Sequence, residues 1–253
     1  MATCSAIASG SGRPGPGPPS APTPTPGSTT DVVSFLIQRH LQHVLMELID
    51  ISRPLSVQTA VWPGDRQVKT TWTQSIKAGD AVNVGAIATS LHAGTHADAP
   101  YHFDVKGASV DQVPLQAYIG PASVIPVGAA DTITVELLEA TDVPITPRLL
   151  FQSSCSESSL SEWPTSYPAI SPNVAAWLAA HGVVLVGTDA PSVDGQASTT
   201  LPAHHALYER RIAILEHLDL SRAEPGQYDM VALPLRLTGM DASPVRAVLI
   251  RKS

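Results

Sequence analysis

The sequence predicts one α/β domain behind a disordered extension. Apolar runs of strand length recur from residue 46 onward: "VNVGAIATSL" (82–91), "ASVIPVG" (122–128), "VVLVGTD" (183–189), "DMVALPLRL" (229–237) and "VRAVLIRK" (245–252). Helical stretches and Pro-containing loops fall between them, the mixture expected of an α/β domain. The first 30 residues differ in kind: "SGRPGPGPPSAPTPTPGSTT" offers too little apolar surface to offset the entropy of ordering.

In chain order, residues 1–45 read as a low-complexity extension. Within it, "DVVSFLIQRHLQHVL" (31–45) predicts a short helix after the Thr30/Asp31 cap signal. Met46 is a candidate start of the protein proper and opens "MELIDISRPL", the first expected strand, so residues 46–253 form the predicted domain. The clearest helix is "SPNVAAWLAAHG" (171–182), where Ser171 suits the cap, Pro172 the first helical position and Gly182 the end. "AHHALYERR" (203–211) predicts a second helix, and no internal repeat is evident.

Composition narrows the function classes. The 253 residues are 43% hydrophobic, enough for one packed core. A net charge of -7 without a basic cluster argues against a nucleic-acid partner. Two cysteines, Cys4 and Cys155, are too few for a disulfide framework and suit a reducing cytoplasm. No apolar run approaches the roughly 20 residues of a membrane span, and the N-terminus lacks the features of a secretory signal.

Chemistry concentrates in "LHAGTHADAPYHF" (91–103), which holds three of the nine histidines, His92, His96 and His102, together with Asp98. Gly94 and Pro100 make a helix poor here, so a strand, "AIATSL", is expected to run into a loop that curls round a centre. Imidazole and carboxylate are the usual ligands of first-row metals, and H-x-x-x-H-x-D supplies three of them. Further candidate ligands are His204 or His205, which spacing alone does not rank, and Glu216 after the apolar run "IAIL". A G-x-S-x-G elbow, which a serine hydrolase of the α/β type would need, is missing from the sequence.

"HAGTHADAPYH" (92–102) is similar to the H-x-G-T-H-x-D-x-P-x-H motif of the cyclase-like metal-dependent hydrolases. Within that family the chain most resembles the bacterial kynurenine formamidases (arylformamidases). The supporting stretches are "VWPGD" (61–65), "GTDAPSVD" (187–194), "TLPAHHAL" (200–207) and "RIAILEHLDL" (211–220), and the resemblance runs from about Met46 to the C-terminus. It implies a single cyclase-like domain of the swivelling β/β/α type, a homodimer, and two divalent metal ions per subunit, usually zinc. His92 and His96 match ligands of one metal, Asp98 a bridging carboxylate, and Glu216 the distal carboxylate ligand. His204 aligns with the second metal's histidine, but Pro202–Ala203 stand where Asp–Ser is common, which leaves His205 open. His102 matches the catalytic histidine and Trp62 a substrate-contacting aromatic.

The implied activity is hydrolysis of N-formyl-L-kynurenine to L-kynurenine and formate, a step of tryptophan degradation. Metal ions lower the pKa of water from about 15.7 toward about 7 and polarise a carbonyl. A histidine near its ordinary pKa of about 6.5 can serve the departing aryl amine. The nearest alternative is a sister enzyme that opens another aryl amide or a lactam such as isatin. A non-catalytic metal-binding protein is the further one, disfavoured because His102 exceeds what ligation needs.

Overall fold

Thirteen strands and three α-helices form within residues 46–251, the residues that the computed structural model describes. The disorder expected of residues 1–30 and the helix expected over 31–45 lie outside them. The strands are β1 (Glu47–Asp50), β2 (Lys69–Gln74), β3 (Val84–Ala88), β4 (His96–Asp98), β5 (Ile119–Gly128), β6 (Thr132–Ile133), β7 (Arg148–Ser153), β8 (Ala169–Ile170), β9 (Leu185–Thr188), β10 (Ala213–Glu216), β11 (Gly226–Val231), β12 (Ala242–Pro244) and β13 (Val248–Arg251). The helices are α1 (Val135–Glu139), α2 (Val174–Ala180) and α3 (Pro202–Glu209).

Nine strands make one mixed sheet in the order β1-β13-β11-β5-β7-β9-β10-β4-β12. Its centre, β5, β7, β9 and β10, is parallel, and antiparallel strands flank it on both sides. Side chains of the central strands alternate between two cores. Val124, Leu150, Leu185 and Leu215 pack on one face. Ile125, Leu149, Phe151, Val186 and Ile214 pack on the other, under Val174 and Leu178 of α2 and Ala203 and Leu207 of α3.

The α/β expectation holds, with corrections to its parts. The run 82–91 gives only β3, which pairs with β2 as a separate two-stranded sheet and does not enter the main one. Every residue of this hairpin's strands is exposed. β7 and β10 were not anticipated, because a strand buried on both faces shows no polar alternation. The helix at 171–182 is shorter than expected: Asn173 is its cap residue, while Ser171 and Pro172 form a preceding turn and Gly182 follows at φ +72°. The strand at 229–237 ends at Val231.

Candidate metal centre

His96 and Asp98 lie on β4 itself rather than in a loop, two residues apart and therefore on one face. Glu216, at the end of β10, stands opposite His96 in the antiparallel ladder. The same face is covered by helices, because Ile214, two residues from Glu216, packs with α2 and α3. α3 brings His204 onto it. Two amides at the start of that helix, those of Ala203 and His204, donate to the Asp194 carboxylate at 3.0 and 3.1 Å. The turn before β4 needs Gly94, at φ +66°, to return the chain so that His92 meets Asp98.

Asp98 is the hub. Its Oδ1 lies 3.1 Å from His92 Nδ1 and 3.3 Å from His96 Nε2, and its Oδ2 lies 3.3 Å from His204 Nε2. Glu216 closes the group, 3.4 Å from His96 Nε2 and 3.4 Å from His204 Nε2. The opposite nitrogen of each ring has its own acceptor: Gly94 O at 2.9 Å for His96 Nδ1, Asp194 Oδ2 at 2.7 Å for His204 Nδ1, and Asp241 Oδ2 at 3.0 Å for His92 Nε2. A carbonyl or a carboxylate can only accept, so these outer nitrogens carry the hydrogens.

The inner nitrogens of neutral rings therefore aim lone pairs at carboxylate oxygens. Acceptor faces acceptor, and His96 Nε2 and both Asp98 oxygens are buried without a hydrogen-bond partner. A buried group of this kind is costly unless a cation sits among the donors. Two ligands each about 2.0–2.1 Å from a tetrahedral zinc stand about 3.3 Å apart. Neighbouring ligand-type atoms here are 3.1–3.4 Å apart, so the donor set suits a divalent cation bound through nitrogen and oxygen. Without metal, protons take the cation's place. Burial opposes charge on these rings, but the neighbouring carboxylates outweigh it, pushing His96 up to about 10, His204 up to about 12 and His92 up to about 9. Burial opposes charge on Asp98 too, but once His204, His92 and His96 are protonated they face it as donors, and it is held well below the usual carboxylate range.

One side of the centre opens outward. The side chains of His96, Asp98, His204 and Glu216 are 1–5% exposed, whereas those of His92, His102 and Asp241 are 18%, 31% and 39% exposed. His102 sits in a single-turn 3-10 segment, Pro100–His102, which Gly107 locks in place: a Cβ there would lie 2.4 Å from the Pro100 carbonyl carbon. Its ring centroid is 4.1 Å from that of His92 and 6.0 Å from that of His204. Burial holds the His102 imidazole below its ordinary pKa.

The structure thus gathers His92, His96, Asp98, His102, His204 and Glu216 in one place. His204 points into the group, whereas His205 is exposed, its ring 5.5 Å from Phe103. Trp62 is half-buried and meets the centre through intermediaries: its ring is edge-on to Trp163 at 5.4 Å, and Trp163 is edge-on to His217 at 5.7 Å. Sequence reasoning assigned no role to Asp194, Asp241 or Trp163. Asp194 lay within the quoted "GTDAPSVD" stretch, but no spacing signal marked the other two. A cavity of about 620 Å³ with a mainly apolar wall that includes Phe103, Tyr208 and Ile214 meets the centre only at Asp98.

The family model described as "Putative cyclase" matches residues 49–195. A kynurenine formamidase of Salinibacter ruber is 48% identical over 206 residues, 81% of this chain and 97% of that protein. A solved potential metal-dependent hydrolase with cyclase activity superposes with a TM-score of 0.71 at 28% identity, covering 82% of this chain and 99% of its own. Isatin hydrolase A of Labrenzia aggregata shares the fold, with a TM-score of 0.73 at 21% identity over 88% of this chain and all of its own.

Proposed function

This chain belongs to the cyclase family of metal-dependent hydrolases, and from that premise we propose that it hydrolyses N-formyl-L-kynurenine to L-kynurenine and formate. The observation that carries the reading is the buried meeting of three imidazoles and two carboxylates, acceptor against acceptor, beside an open mouth that holds a further histidine. The identity to a kynurenine formamidase over nearly that protein's whole length supports the choice of substrate.

In this reading His92, His96 and Asp98 hold one ion, and Asp98, His204 and Glu216 hold the other. Both ions are zinc. When bound, they supply Lewis acidity toward the formyl oxygen and a water made acidic near neutral pH. Asp98 offers one oxygen to each group of histidines, which is what a shared ligand requires. His102, neutral at pH 7 and partly open to solvent, takes a proton from the attacking water and returns it to the departing aryl amine as the C–N bond breaks. The Trp62–Trp163 pair offers dry surface to the aryl portion of the substrate.

The same proposal includes a homodimer in a cytoplasmic setting. The exposed apolar residues of the β2–β3 hairpin, Trp72 and Ile87 among them, support an interface. Among the described residues no helix is long and apolar enough to cross a membrane. A panel of N-formylkynurenine, simple aryl formamides and isatin, run on purified protein with metal analysis, tests the reading. Formylkynurenine is expected to be the best substrate, and dominant isatin turnover would replace it with the lactam reading.

A further inference from the structure

The centre's two inner ligand histidines, His96 and His204, each have an acceptor of their own, whereas on the open side one carboxylate faces both His92 and His102. Asp241 Oδ2 lies 3.0 Å from His92 Nε2 and 3.6 Å from His102 Nδ1. The two rings are tilted by 40° with centroids 4.1 Å apart, so one carboxylate bonds to His92 and lies beside His102 without bonding to it. Its position is set by backbone rather than by the histidines. The Ala99 amide donates to the Asp241 carbonyl at 2.9 Å, the Val110 amide donates to the Met240 carbonyl at 2.9 Å, and β12 begins at the next residue in register with Asp98. Gly239, at φ +73°, makes the turn that delivers it, and its amide donates to Asp111 Oδ1 at 3.0 Å.

We propose that Asp241 is a positioning residue that fixes the ring orientation and tautomer of His92 by a hydrogen bond and, by its charge, sets the tautomer of His102. On His92 it holds the hydrogen on Nε2, which leaves the Nδ1 lone pair aimed at the Asp98 side where a metal ion would sit. His102 Nδ1, at 3.6 Å, is beyond hydrogen-bond distance, but the negative charge beside it favours the hydrogen on Nδ1, which leaves Nε2 as the atom that exchanges a proton with substrate. Carboxylates behind metal-binding and proton-carrying imidazoles act in this way generally, and their loss costs about 10–100-fold in metal affinity or activity. Asp241 differs from the Asp194 carboxylate behind His204 in serving a candidate ligand and a candidate proton carrier at once. The assignment to His102 of proton transfer rests on the hydrolase reading above; the tautomer assignment does not.

The test compares the zinc-loaded wild type with Asp241→Ala and Asp241→Glu. The carboxylate is 39% exposed, and the β12–β4 ladder uses only the main chain, so the variants are expected to fold with an unchanged melting temperature. Long-range ¹H–¹⁵N correlation should show His102 as the Nδ1–H tautomer in wild type and as mainly Nε2–H in Asp241→Ala. Zinc affinity by chelator competition should fall about tenfold at one site only, and kcat by about 10–100-fold with KM within about twofold. Asp241→Glu should recover part of each. An unchanged His102 tautomer, or loss of both ions with a lowered melting temperature, would overturn the proposal. If the wild type turns over no aryl formamide, the substrate reading fails, yet the tautomer and zinc measurements still decide the role of Asp241.

Discussion

The two halves of the centre are built differently. The inner half, His96, Asp98, His204 and Glu216, is buried to within a few per cent and fixed from all sides: by the β4–β10 ladder, by the start of α3, by Gly94 O and by Asp194. The outer half, His92, His102 and Asp241, is open to solvent, sits on turns and shares a single carboxylate. Burial strengthens electrostatic attraction but makes any unpaired group expensive, so the inner half suits permanent ligands. Partial exposure lets a group exchange protons with substrate and water, so the outer half, which supplies one ligand in His92, also suits chemistry at His102. The contrast teaches that one histidine-rich motif can feed two jobs: the strand residues His96 and Asp98 serve ligation alone, and the flanking turns supply both a ligand, His92, and a proton carrier, His102.

The comparison breaks most sharply at Asp98. Asp98→Ala removes the oxygens that both groups of histidines face, so both ions should be lost from the purified protein, as read by metal analysis. Metal ions contribute several kcal/mol of charge stabilisation, and at 1.36 kcal/mol per tenfold the rate should fall by about 10³–10⁴. Chelation of the wild type should do the same, and added zinc should restore it. Retention of both ions by Asp98→Ala would remove its role as the hub.

His102→Ala tests the outer half. Both ions should remain, while kcat falls by roughly 10²–10⁴, the usual share of general acid–base catalysis. Loss of an ion would move His102 into the ligand set, since its ring also lies close to Asp98 and His204.

The inner half can be sharpened with pH. In the metal-free protein His96 and His204 are raised to about 10 and about 12 by their carboxylates, above the ordinary 6.5. The stabilisation from those charged pairs is fully present below about pH 6.5 and is lost as pH rises through the raised values. Zinc needs the same nitrogens unprotonated, so its affinity should climb steadily with pH. Calorimetry at pH 7 in buffers of different ionisation enthalpy should detect release of more than one proton per chain. Zinc uptake without proton release would mean that the inner histidines are already neutral.

The sequence made the two halves legible unequally. His92, His96, Asp98 and His102 are local in the chain, so their spacing alone exposed the cluster. That spacing did not reveal that His96 and Asp98 sit on a short strand, because β4 borrows its pairing from β10 and β12, far away in sequence. Glu216 and the choice between His204 and His205 needed the resemblance and the fold. Asp241 is 149 residues from His92, and no pattern marks a residue whose role arises from a strand start delivered across that distance. The same reason hid β7, where "RLLFQS" is buried on both faces and shows no alternation.

The smallest expected effect lies furthest from the ions, at Trp62. Its ring touches Trp163 edge-on at 5.4 Å, and Trp163 in turn lies against His217, next to Glu216, so Trp62 borders the centre at two removes. A ring so placed can steady an aryl group but cannot act on the scissile bond. Aromatic pairs contribute about 0.5–1.5 kcal/mol beyond area burial, which at 1.4 kcal/mol per tenfold allows at most about a tenfold change in affinity. Trp62→Ala should therefore raise KM for formylkynurenine by up to about tenfold and leave kcat nearly unchanged. Small non-aromatic formamides should be affected much less, because they offer no ring to stack. Equal losses on both substrate types, together with a lowered melting temperature, would show that Trp62 only supports Trp163 and the fold.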